Sequence, residues 1–518
     1  MRRIGIDVGG TNTDAVLVHD GRVERSVKSP TTADVTGGIV AAIRLLEVQG
    51  TVDAVLIGTT HFINAVVQRR GLSRVGALRI GAPATVSLPP FTDWPQDLAE
   101  QVDGGHWLIE GGHDYDGRPF MPLDTSAVAA AARDIRSRGL RAVAITAMFS
   151  PLTAADEEQA ATIVREEAPG VAVTCSHRVG GIGLLERENA TVLNAALVPL
   201  ASETVRGFAR AIADLGVHAP LYVTQNDGTV TEASRAVEFP VFSFASGPTN
   251  SMRGAAYLSR LDDAVVVDVG GTTADFGHLK NGFPREANAV VHVGGVRTLF
   301  RMPDLVSIGL GGGSLVDAST CLVGPRSVGY RLTDQALVFG GDQLTATDVA
   351  VAAGRIDLGD RRRVAHLSAD MVRGVFRQIA ASLEDHVDRL KTDAGAVTLI
   401  AVGGGAFLVP DGLAGVAHVV RVDHGDCANA VGAAIAQVSG EVDQIFQGLT
   451  RAEAIASARA MAEKRAVEAG AAPDDLRLVE AEDMPIAYLP GNAMRVKAKV
   501  VGAIAARPEG RHPSKEKK

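Results

Sequence analysis

The sequence predicts an α/β fold that contains an internal duplication, and three observations support this prediction. Strand-like apolar runs alternate with segments of helical apolar spacing along most of the chain. A glycine turn after a strand occurs twice, as GIDVGGTNTD at residues 5–14 and VVDVGGTTAD at residues 266–275. At 518 residues, the chain exceeds the roughly 250 to 300 residues at which one hydrophobic core stops growing. We therefore expect two related α/β lobes, each with one glycine turn.

The two glycine turns align without gaps at a constant offset of 261 residues, since 268 − 7 is 261. The matching positions are Asp7 with Asp268, Gly9 with Gly270, Gly10 with Gly271, Thr11 with Thr272, and Asp14 with Asp275. The same offset relates the later pairs Asp20-Gly21 and Asn281-Gly282. Because these pairs lie between apolar runs, they predict two-residue type I′ hairpins. Each copy is therefore predicted to be a complete strand-turn-strand unit.

The first lobe continues with alternating helices and strands. Helical spacing predicts helices in DVTGGIVAAIRLLEV (34–48), AVAAAARDIRSRG (127–139) and DEEQAATIVREEAP (156–169). The run DAVLIGTT (53–60) predicts a buried strand that ends in a polar turn, and LRAVAITAMFS (140–150) contains another strand. Four prolines predict a surface loop at residues 82–98.

The second lobe begins with a predicted long helix at residues 186–215 that crosses between the halves, after which the α/β pattern continues to about residue 440. Residues 451–470 predict an alanine-rich helix, and residues 494–500 predict a strand with one solvent-facing side. We expect three regions: an N-terminal lobe at 1–185, a second lobe at 186–440, and a short α+β extension at 441–518. The basic tail at 506–518 is expected to be disordered.

Composition excludes several classes of protein. The net charge of −9 provides no basic excess to neutralise phosphates, so we expect no nucleic-acid partner. Cys175, Cys321 and Cys427 are far apart in sequence, which argues against a disulfide framework, a zinc ribbon and an iron-sulfur cluster. No signal-peptide pattern and no uncharged apolar run of about 18 residues is present. We therefore expect a soluble cytoplasmic protein without membrane contact.

Each glycine turn brings together a carboxylate, a backbone free of β-carbons and a hydroxyl. This combination suits a phosphate with its metal ion: N–H groups and hydroxyls hold phosphate oxygens, and the aspartate accepts water molecules from Mg²⁺. A single such turn could equally be steric, but two copies in register favour phosphate binding. The predicted phosphate-binding residues are Gly9, Gly10, Thr11, Asn12, Gly270, Gly271, Thr272 and Thr273.

The chain resembles the hydantoinase A and 5-oxoprolinase family of the actin-like ATPase superfamily. Beyond the two glycine turns, the phrases that carry the resemblance are GTTHFINAVVQRRG (58–71), ERENATVLNAAL (186–197), FASGPTNSMRGA (244–255) and PDLVSIGLGGGSLVD (303–317). The resemblance implies a duplicated, two-lobed ribonuclease H-like fold with a nucleotide cleft between the lobes. It also assigns Gly403, Gly404 and Gly405 to nucleotide contact. Only about 78 residues follow position 440, so we interpret the chain as a short-form member.

The resemblance implies an enzyme that uses ATP and Mg²⁺ to open a cyclic amide or imide of the hydantoin, oxoproline or lactam type. The carbonyl oxygen would be phosphorylated, and water would then add at the carbon. Asp7 and Asp268 are the predicted metal residues. A separate partner subunit is expected, and assembly of several copies is compatible with the sequence. Two alternatives remain open: a small-molecule kinase, and an actin-fold ATPase that reactivates a partner enzyme.

Other candidate residues have competing structural explanations. Asp14 and Asp275 could orient water or accept a proton, or each could cap its own hairpin through backbone N–H groups. Residues after the strand at 53–60 lie where α/β sheets bind ligands. The predicted substrate residues are Thr59, Thr60, His61, Asn64, Gly312, Gly313 and Ser314. A lone loop histidine is more often solvated than catalytic, and the second glycine-rich turn could be a packing feature. The polar start of the long helix could reach the cleft or interact with the helix dipole.

Overall fold

The structure is a computed structural model that describes residues 1–9, 12–30, 35–287, 290–486 and 491–505. The strands are β1 (Arg2–Val8), β2 (Asn12–His19), β3 (Arg22–Pro30), β4 (Ala54–Thr59), β5 (Val75–Ala82), β6 (Asp103–Glu110), β7 (Ala142–Ala147), β8 (Ala172–Cys175), β9 (Leu221–Thr224), β10 (Val230–Glu232), β11 (Ala264–Val269), β12 (Ala274–Lys280), β13 (Phe283–Pro284), β14 (Val291–Val293), β15 (Val296–Thr298), β16 (Leu305–Ile308), β17 (Ser314–Val316), β18 (Val323–Ser327), β19 (Val397–Val402), β20 (Val416–Arg421), β21 (Val438–Phe446), β22 (Arg477–Pro485) and β23 (Met494–Gly502).

The helices are α1 (Val35–Leu46), α2 (His61–Val67), α3 (Gln96–Val102), α4 (Thr125–Ser137), α5 (Ala155–Glu167), α6 (Leu184–Asp214), α7 (Ala233–Glu238), α8 (Ser246–Ser259), α9 (Leu332–Gln335), α10 (Ala346–Ala352), α11 (Ala369–Leu390), α12 (Ala428–Ile435) and α13 (Arg451–Glu468). The chain divides into two compact units. The larger comprises Met1–Gly228 with Ala233–Ile435, and the smaller comprises Thr229–Glu232 with the chain from Ala436 onward. The lobe boundaries expected at residues 185 and 440 stay predictions.

The first hairpin lies in a sheet of the larger unit with the strand order β9-β4-β1-β2-β3. Strand β1 is antiparallel to β2 and parallel to β4, and its register places Asp7 directly opposite Asp14. At the tip between β2 and β3, Asp20 has φ 46° and Gly21 has φ 75°. Positive φ at both central residues is the type I′ conformation, so the predicted turn is confirmed.

The second hairpin lies in another sheet of the same unit, with the order β13-β12-β11-β19-β20 and with β16 also paired to β12. Here the antiparallel register places Asp268 opposite Asp275. The tip repeats the first one, since Asn281 has φ 54° and Gly282 has φ 74°. The duplication inferred from the sequence is therefore confirmed in three dimensions.

A third, entirely parallel sheet has the order β6-β5-β7-β8. Apolar residues of α4 and α5 form a buried core with one face of this sheet. The loop predicted at 82–98 is partly wrong, because helix α3 already begins at Gln96 and Trp94 is buried. Trp94 is held by a hydrogen bond from its indole nitrogen to Asn189 Oδ1 at 2.7 Å, on helix α6.

Helix α6 confirms the long helix predicted at 186–215 and continues through Pro199. Its buried apolar residues share one core with β5 and β7, including Val75, Ala144 and Leu193. This helix is buried continuously from Arg187 to Leu197, so the polar residues of its N-terminal half are buried together with the apolar ones.

Helices α8 and α12 pack against one another and contact strands of both hairpin sheets. Helix α8 contacts β4 in the first sheet and β11 and β19 in the second, and α12 contacts β1 and β2. A β-carbon on Gly254 would lie 1.9 Å from the Ala428 carbonyl oxygen, and one on Gly432 would lie 1.8 Å from the Asn250 carbonyl oxygen. Glycine is therefore required at both positions, because the two backbones touch.

In the smaller unit, hydrogen-bonded strands have the order β22-β23-β21-β10, and helix α13 packs on β21 and β23. The predicted strand at 494–500 is confirmed as part of β23, but its Lys499 is buried and ion-paired with Glu441 at 3.6 Å. The tail at 506–518 lies outside the described residues. Within the described ranges, no helix is both long enough and apolar enough to cross a bilayer.

Candidate active site

The paired aspartates of the two hairpins form one acidic cluster. Asp7 and Asp14 are 4% and 5% exposed, and Asp268 and Asp275 are partly buried. The charges of Asp7 and Asp14 act on Asp268 together with that of Asp275. The aspartates that flank the two glycine turns therefore share one electrostatic environment, and a phosphate site shared by the turns stays a prediction.

Asp7 is held by two amide side chains that come from different helices. Asn250 Nδ2, on α8, donates to Asp7 Oδ1 at 3.2 Å, and Asn429 Nδ2, on α12, donates to Asp7 Oδ2 at 3.1 Å. Burial raises the pKa of Asp7 to about 6, and the two amides and nearby Lys28 only partly oppose this. Further positive charge near Asp7 would therefore stabilise its carboxylate form.

Asp14 is paired with a lysine on the neighbouring strand. The register of β2 and β3 places Lys28 opposite Asp14, and the Lys28 ammonium lies 2.9 Å from Asp14 Oδ1. Asn429 Nδ2 also donates to Asp14 Oδ2 at 2.9 Å. Burial disfavours the charge on Lys28, but Asp14 outweighs it and raises the pKa of Lys28. These side-chain partners differ from the backbone cap considered for Asp14.

Asp268 and Asp275 receive hydroxyl groups instead of amides or a cation. Ser251 Oγ, on α8, donates to Asp268 Oδ2, and Ser307 Oγ, on β16, donates to Asp275 Oδ1. Burial raises the pKa of Asp268 to about 7, and Asp275, Asp7 and Asp14 add to the shift. Burial likewise raises the pKa of Asp275. A divalent cation bound at these oxygen atoms would relieve the repulsion.

Two further glycine turns pack against the second hairpin turn. The N–H groups of Gly312 and Gly313 donate to the carbonyls of Gly270 and Gly271 at 3.0 and 2.8 Å. From the 403–405 turn, the Gly405 N–H donates to the Val269 carbonyl at 2.7 Å. The three glycine-rich phrases of the second lobe thus converge at one place.

Where these three turns meet, the surface that faces solvent consists of threonine hydroxyls and uncovered glycine backbone. Thr272 and Thr273 are exposed, and a β-carbon on Gly271 or Gly404 would meet no atom within 4 Å. This arrangement leaves the backbone accessible to an anion. In the first turn, Asn12 is partly buried, whereas Gly10 and Thr11 lie outside the described residues.

Ser314 is buried and closes its own turn. The Gly311 N–H donates to Ser314 Oγ at 2.8 Å, and Ser314 Oγ donates to the Gly309 carbonyl at 3.4 Å. A β-carbon on Gly311 would lie 2.5 Å from the Thr272 nitrogen. The turn therefore supports the second hairpin turn, and substrate contact by Gly312, Gly313 and Ser314 stays a prediction.

The loop after β4 lies beside Asp7. Thr59 is buried and exchanges two hydrogen bonds with Ser246 on α8: its N–H donates to Ser246 Oγ at 3.2 Å, and its carbonyl accepts at 3.0 Å. A β-carbon on Gly247 would lie 3.5 Å from Thr60 Cγ2 and 3.9 Å from Asp7 Oδ2. Thr60 is thus close to the acidic cluster, where a substrate group could reach it.

His61 and Asn64 occupy the first turn of α2. Asn64 Nδ2 donates to Thr60 Oγ1 at 3.2 Å, and the His61 N–H donates to Thr59 Oγ1 at 3.1 Å. Burial lowers the pKa of His61, which favours the neutral imidazole at pH 7. Both residues therefore order the Thr59–Thr60 loop, and their roles toward substrate stay predictions.

The polar start of α6 is bonded to protein. Glu188 forms a buried ion pair with Arg79, with Arg79 Nε 2.8 Å from Glu188 Oε1, and Asn189 bonds Trp94 and the Arg297 carbonyl. Asn194 Nδ2 donates to the Glu238 carbonyl at 2.8 Å. These side chains join α6 to the third sheet, to β15, to α7 and to the loop that contains Trp94, so the phrase ERENATVLNAAL has a structural explanation.

A second group of side chains of the kind that bind metals lies beside the third sheet and consists of Glu157, Cys175 and His177. Each offers one ligand atom, and these three atoms lie within 4.8 Å of one another. Ser176 Oγ donates to Glu157 Oε1 at 2.5 Å, and the His177 N–H donates to Glu157 Oε2 at 3.0 Å. Burial raises the pKa of Cys175 to about 12, so its thiol stays protonated. This group therefore stabilises the sheet edge and is a poor metal site.

The side chains that hold the aspartates were not predicted from the sequence: Lys28, Asn250, Ser251, Ser307 and Asn429. Asn250 and Ser251 belong to the phrase FASGPTNSMRGA, which marks their segment but not their partners. Lys28 and Ser307 are cross-strand neighbours of Asp14 and Asp275. Only the strand register identifies them.

Comparison with known proteins identifies the family to which these features belong. Residues 3–168 match the family described as Hydantoinase/oxoprolinase N-terminal region, and residues 187–401 match the family described as Hydantoinase/oxoprolinase. The caprolactamase subunit alpha of Pseudomonas jessenii is 28% identical over 439 residues, which cover 77% of this chain and 61% of that protein. The acetophenone carboxylase gamma subunit of Aromatoleum aromaticum is 29% identical over 397 residues, covering 69% of this chain and 54% of that protein.

The solved structures agree on the fold. The crystal structure of the ATP-dependent caprolactamase from Pseudomonas jessenii has a TM-score of 0.73 and 21% identity, and covers 99% of this chain and 89% of that chain. This match confirms the predicted α/β fold of the actin-like ATPase type. The chain spans between 54% and 62% of the length of the curated relatives that it matches.

Proposed function

Because the chain belongs to the hydantoinase/oxoprolinase family, we propose that it is an ATP-dependent enzyme that activates the carbonyl group of a cyclic amide or imide for ring opening. The observation that carries this proposal is the convergence of the two hairpin turns, whose four aspartates share one electrostatic environment. One solved relative supplies the chemistry by analogy, since it is described as an ATP-dependent caprolactamase.

In this proposal the two hairpin turns hold the β- and γ-phosphates of ATP. The first turn contributes Gly9, Gly10, Thr11 and Asn12, and the second contributes Gly270, Gly271, Thr272 and Thr273. The 403–405 turn supports the nucleotide beside the second hairpin. The exposed hydroxyls and open backbone of the second turn are consistent with this role.

The residues present fit Mg²⁺, which prefers oxygen ligands and keeps several water molecules. Asp7 and Asp268 would hold it, and burial raises the pKa of both, so added positive charge would favour their ionised forms. When bound, Mg²⁺ supplies charge neutralisation for the phosphates. The chain's own groups orient these two carboxylates and restrict their movement.

The proposed reaction begins when the carbonyl oxygen of the ring amide attacks the γ-phosphorus of ATP, so that an O–P bond forms and ADP leaves. Water then adds at the activated carbon and the C–N bond breaks, so that the ring nitrogen leaves as an amine and an acyl phosphate remains. A second water attacks the acyl carbon, and phosphate departs with the former carbonyl oxygen to leave a carboxylate. An unstrained amide is a poor electrophile, and phosphorylation turns its oxygen into a leaving group. The protein's contribution to phosphoryl transfer is positioning.

We place the amide beside Thr60, because this half-buried residue lies next to Gly247 and near Asp7. Asp275 is the better candidate to accept a proton, since its partner is a serine hydroxyl, whereas Asp14 is committed to Lys28. We further propose a second protein subunit, because two relatives are named as the alpha subunit and the gamma subunit of larger enzymes.

The test is release of phosphate from ATP in the presence of hydantoin, 5-oxoproline, ε-caprolactam, small ketones and sugars. It is run with and without the protein encoded beside this one. The proposal predicts ADP formation that depends on a ring amide, together with an opened product detected by mass spectrometry. ADP formed equally without any organic substrate would contradict the proposal and favour an ATPase that remodels a partner. A phosphorylated sugar would instead identify a kinase.

A further inference from the structure

One helix holds the leading aspartate of both hairpins through two consecutive residues. On α8, the Asn250 amide donates to Asp7 at 3.2 Å, and the hydroxyl of the next residue, Ser251, donates to Asp268. Both side chains are buried, at 0% and 1% exposure. The two half-sites of the duplicated fold thus share a single short piece of backbone.

Consecutive residues can reach two sheets because neighbouring side chains on a helix diverge by about 100°. Helix α8 contacts β4 of the first sheet and β11 of the second. In its first turn, Ser246 bonds the backbone of Thr59, so the loop that borders the proposed substrate site is tied to the same helix. Three parts of the candidate site therefore depend on the position of α8.

The position of α8 is fixed by α12. Backbone contacts at Gly254 and Gly432 leave no room for a β-carbon. From α12, Asn429 adds a bridge between Asp7 at 3.1 Å and Asp14 at 2.9 Å. The helix pair consequently presents three donor side chains to the aspartates from one closely packed element.

We infer that Asn250 and Ser251 are positioning residues that set the separation of Asp7 and Asp268, so that both carboxylates serve one metal-nucleotide complex. This inference rests on the proposed function. The donors orient the carboxylates before the nucleotide binds, as the hydrogen-bond partners of metal ligands do elsewhere. Asn250 and Ser251 themselves touch neither the nucleotide nor the reacting atoms in this account.

The principal test uses Ser251→Ala, which removes one hydroxyl and adds no bulk. The probe is Mn²⁺ with the non-hydrolysable nucleotide AMPPNP, and its affinity is measured by titration calorimetry without turnover. We expect binding to weaken by about 10- to 100-fold, the range typical for partners of metal ligands. Ser251→Thr keeps the hydroxyl and should restore affinity to within about threefold of the wild type.

The matched control is Ser259→Ala, because Ser259 lies on the same helix and its hydroxyl bonds only local backbone. It should leave the affinity unchanged. Circular dichroism and thermal melting must confirm that each variant is folded. Equal weakening by Ser251→Ala and Ser259→Ala would overturn the inference, since the effect would then come from the helix as a whole.

A double-mutant cycle distinguishes positioning from general stability. If Ser251 acts through Asp268, adding Ser251→Ala to the Asp268→Asn variant should not weaken the binding of Mn²⁺ and AMPPNP any further. Adding Asn250→Ala to the Asp7→Asn variant should likewise leave this binding affinity unchanged. Additive losses in both cycles would overturn the inference. Wild-type affinity in Asp268→Asn alone would instead remove Asp268 from the metal site and contradict the proposed function, so the two failures are distinguishable.

Discussion

The first and second hairpins place their paired aspartates in the same register but give them different partners. In the first, the third strand contributes Lys28 opposite Asp14. In the second, β16 takes the equivalent place beside β12 and contributes Ser307 opposite Asp275. The first copy thus contains a positively charged partner for its aspartates. The partners described for the aspartates of the second copy are hydroxyl groups.

This difference explains the unequal electrostatics of the two copies. Burial raises the pKa of Asp7 to about 6, and Lys28 opposes this rise. Among the described groups that act on Asp268, the Ser251 hydroxyl opposes the rise of its pKa to about 7, while Asp275, Asp7 and Asp14 add to it. Duplication therefore preserved the carboxylates and the turns while the neutralising groups diverged. We conclude that the second hairpin has the greater need for an external cation.

The largest expected effect is the loss of turnover in Asp268→Asn compared with Asp14→Asn. Asp268 has no built-in cation and would depend on the metal, so its replacement should lower kcat by on the order of 10²- to 10³-fold. Asp14→Asn should lower it by about tenfold or less, because Asp14 mainly pairs with Lys28. Phosphate release under the same conditions measures both. Equal losses of kcat in the two variants would contradict the greater dependence of the second hairpin on an external cation.

A second prediction exchanges the partners. Ser307→Lys gives the second hairpin the cation that the first one has, and this internal charge should compete with the metal at Asp268 and Asp275. We expect the Mg²⁺ concentration needed for half-maximal activity to rise by about tenfold. Ser87→Lys, at an exposed loop position after β5, adds the same charge elsewhere and is the control for changed net charge. An unchanged Mg²⁺ requirement in Ser307→Lys would show that the hydroxyl is not at the cation site.

The nucleotide-free protein should lose stability as the pH rises. A raised carboxyl pKa means that the native state holds a proton that the unfolded chain has released, between pH about 4 and about 7. The free energy of unfolding therefore falls across this window. Asp268→Asn should melt about 2 to 4 °C higher than the wild type at pH 8 and at the same temperature near pH 4. A variant less stable at pH 8 would contradict the raised pKa.

The smallest expected effects concern the hairpin tips, where the two copies are alike. Gly21→Ala and Gly282→Ala each force a side chain into positive φ, which should cost about 1 kcal/mol and lower the melting temperature by about 2 °C. Calorimetry measures both. Losses that differ severalfold between the two variants would show that the tips have diverged as well, contrary to the geometry.

The duplication, the hairpin tips and the long helix were predictable from the sequence because each depends on local patterns. Asp-Gly and Asn-Gly pairs specify a backbone conformation, and a fixed offset reveals a repeat. Lys28 was not predictable in the same way. A two-residue turn at Asp20-Gly21 alone would pair Asp14 with Val27, but an irregularity between Leu17 and Val18 shifts the register and brings Lys28 opposite.

The partners of Asp7 were also beyond sequence reasoning, because they come from helices hundreds of residues away. Ser251 is only 17 positions from Asp268, but their contact depends on the packing of α8 against the second sheet. Asn429 is separated from Asp7 by 422 positions, and Asn250 by 243. Their roles depend on how α8 and α12 pack between strands of the two sheets. Similarly, the polar start of α6 has the composition of a binding site, yet it forms buried contacts such as the Arg79–Glu188 pair.

The contact between Gly254 and Gly432 has a consequence for how the sequence can vary. Neither residue lies in a phosphate turn, yet each is confined to glycine by a backbone atom less than 2 Å from where a β-carbon would stand. In a saturation mutagenesis experiment, these positions should tolerate as few substitutions as the four clustered aspartates do. Variants there would score as inactive without any change in the groups that meet the substrate, so intolerance alone would be a misleading map of the active site.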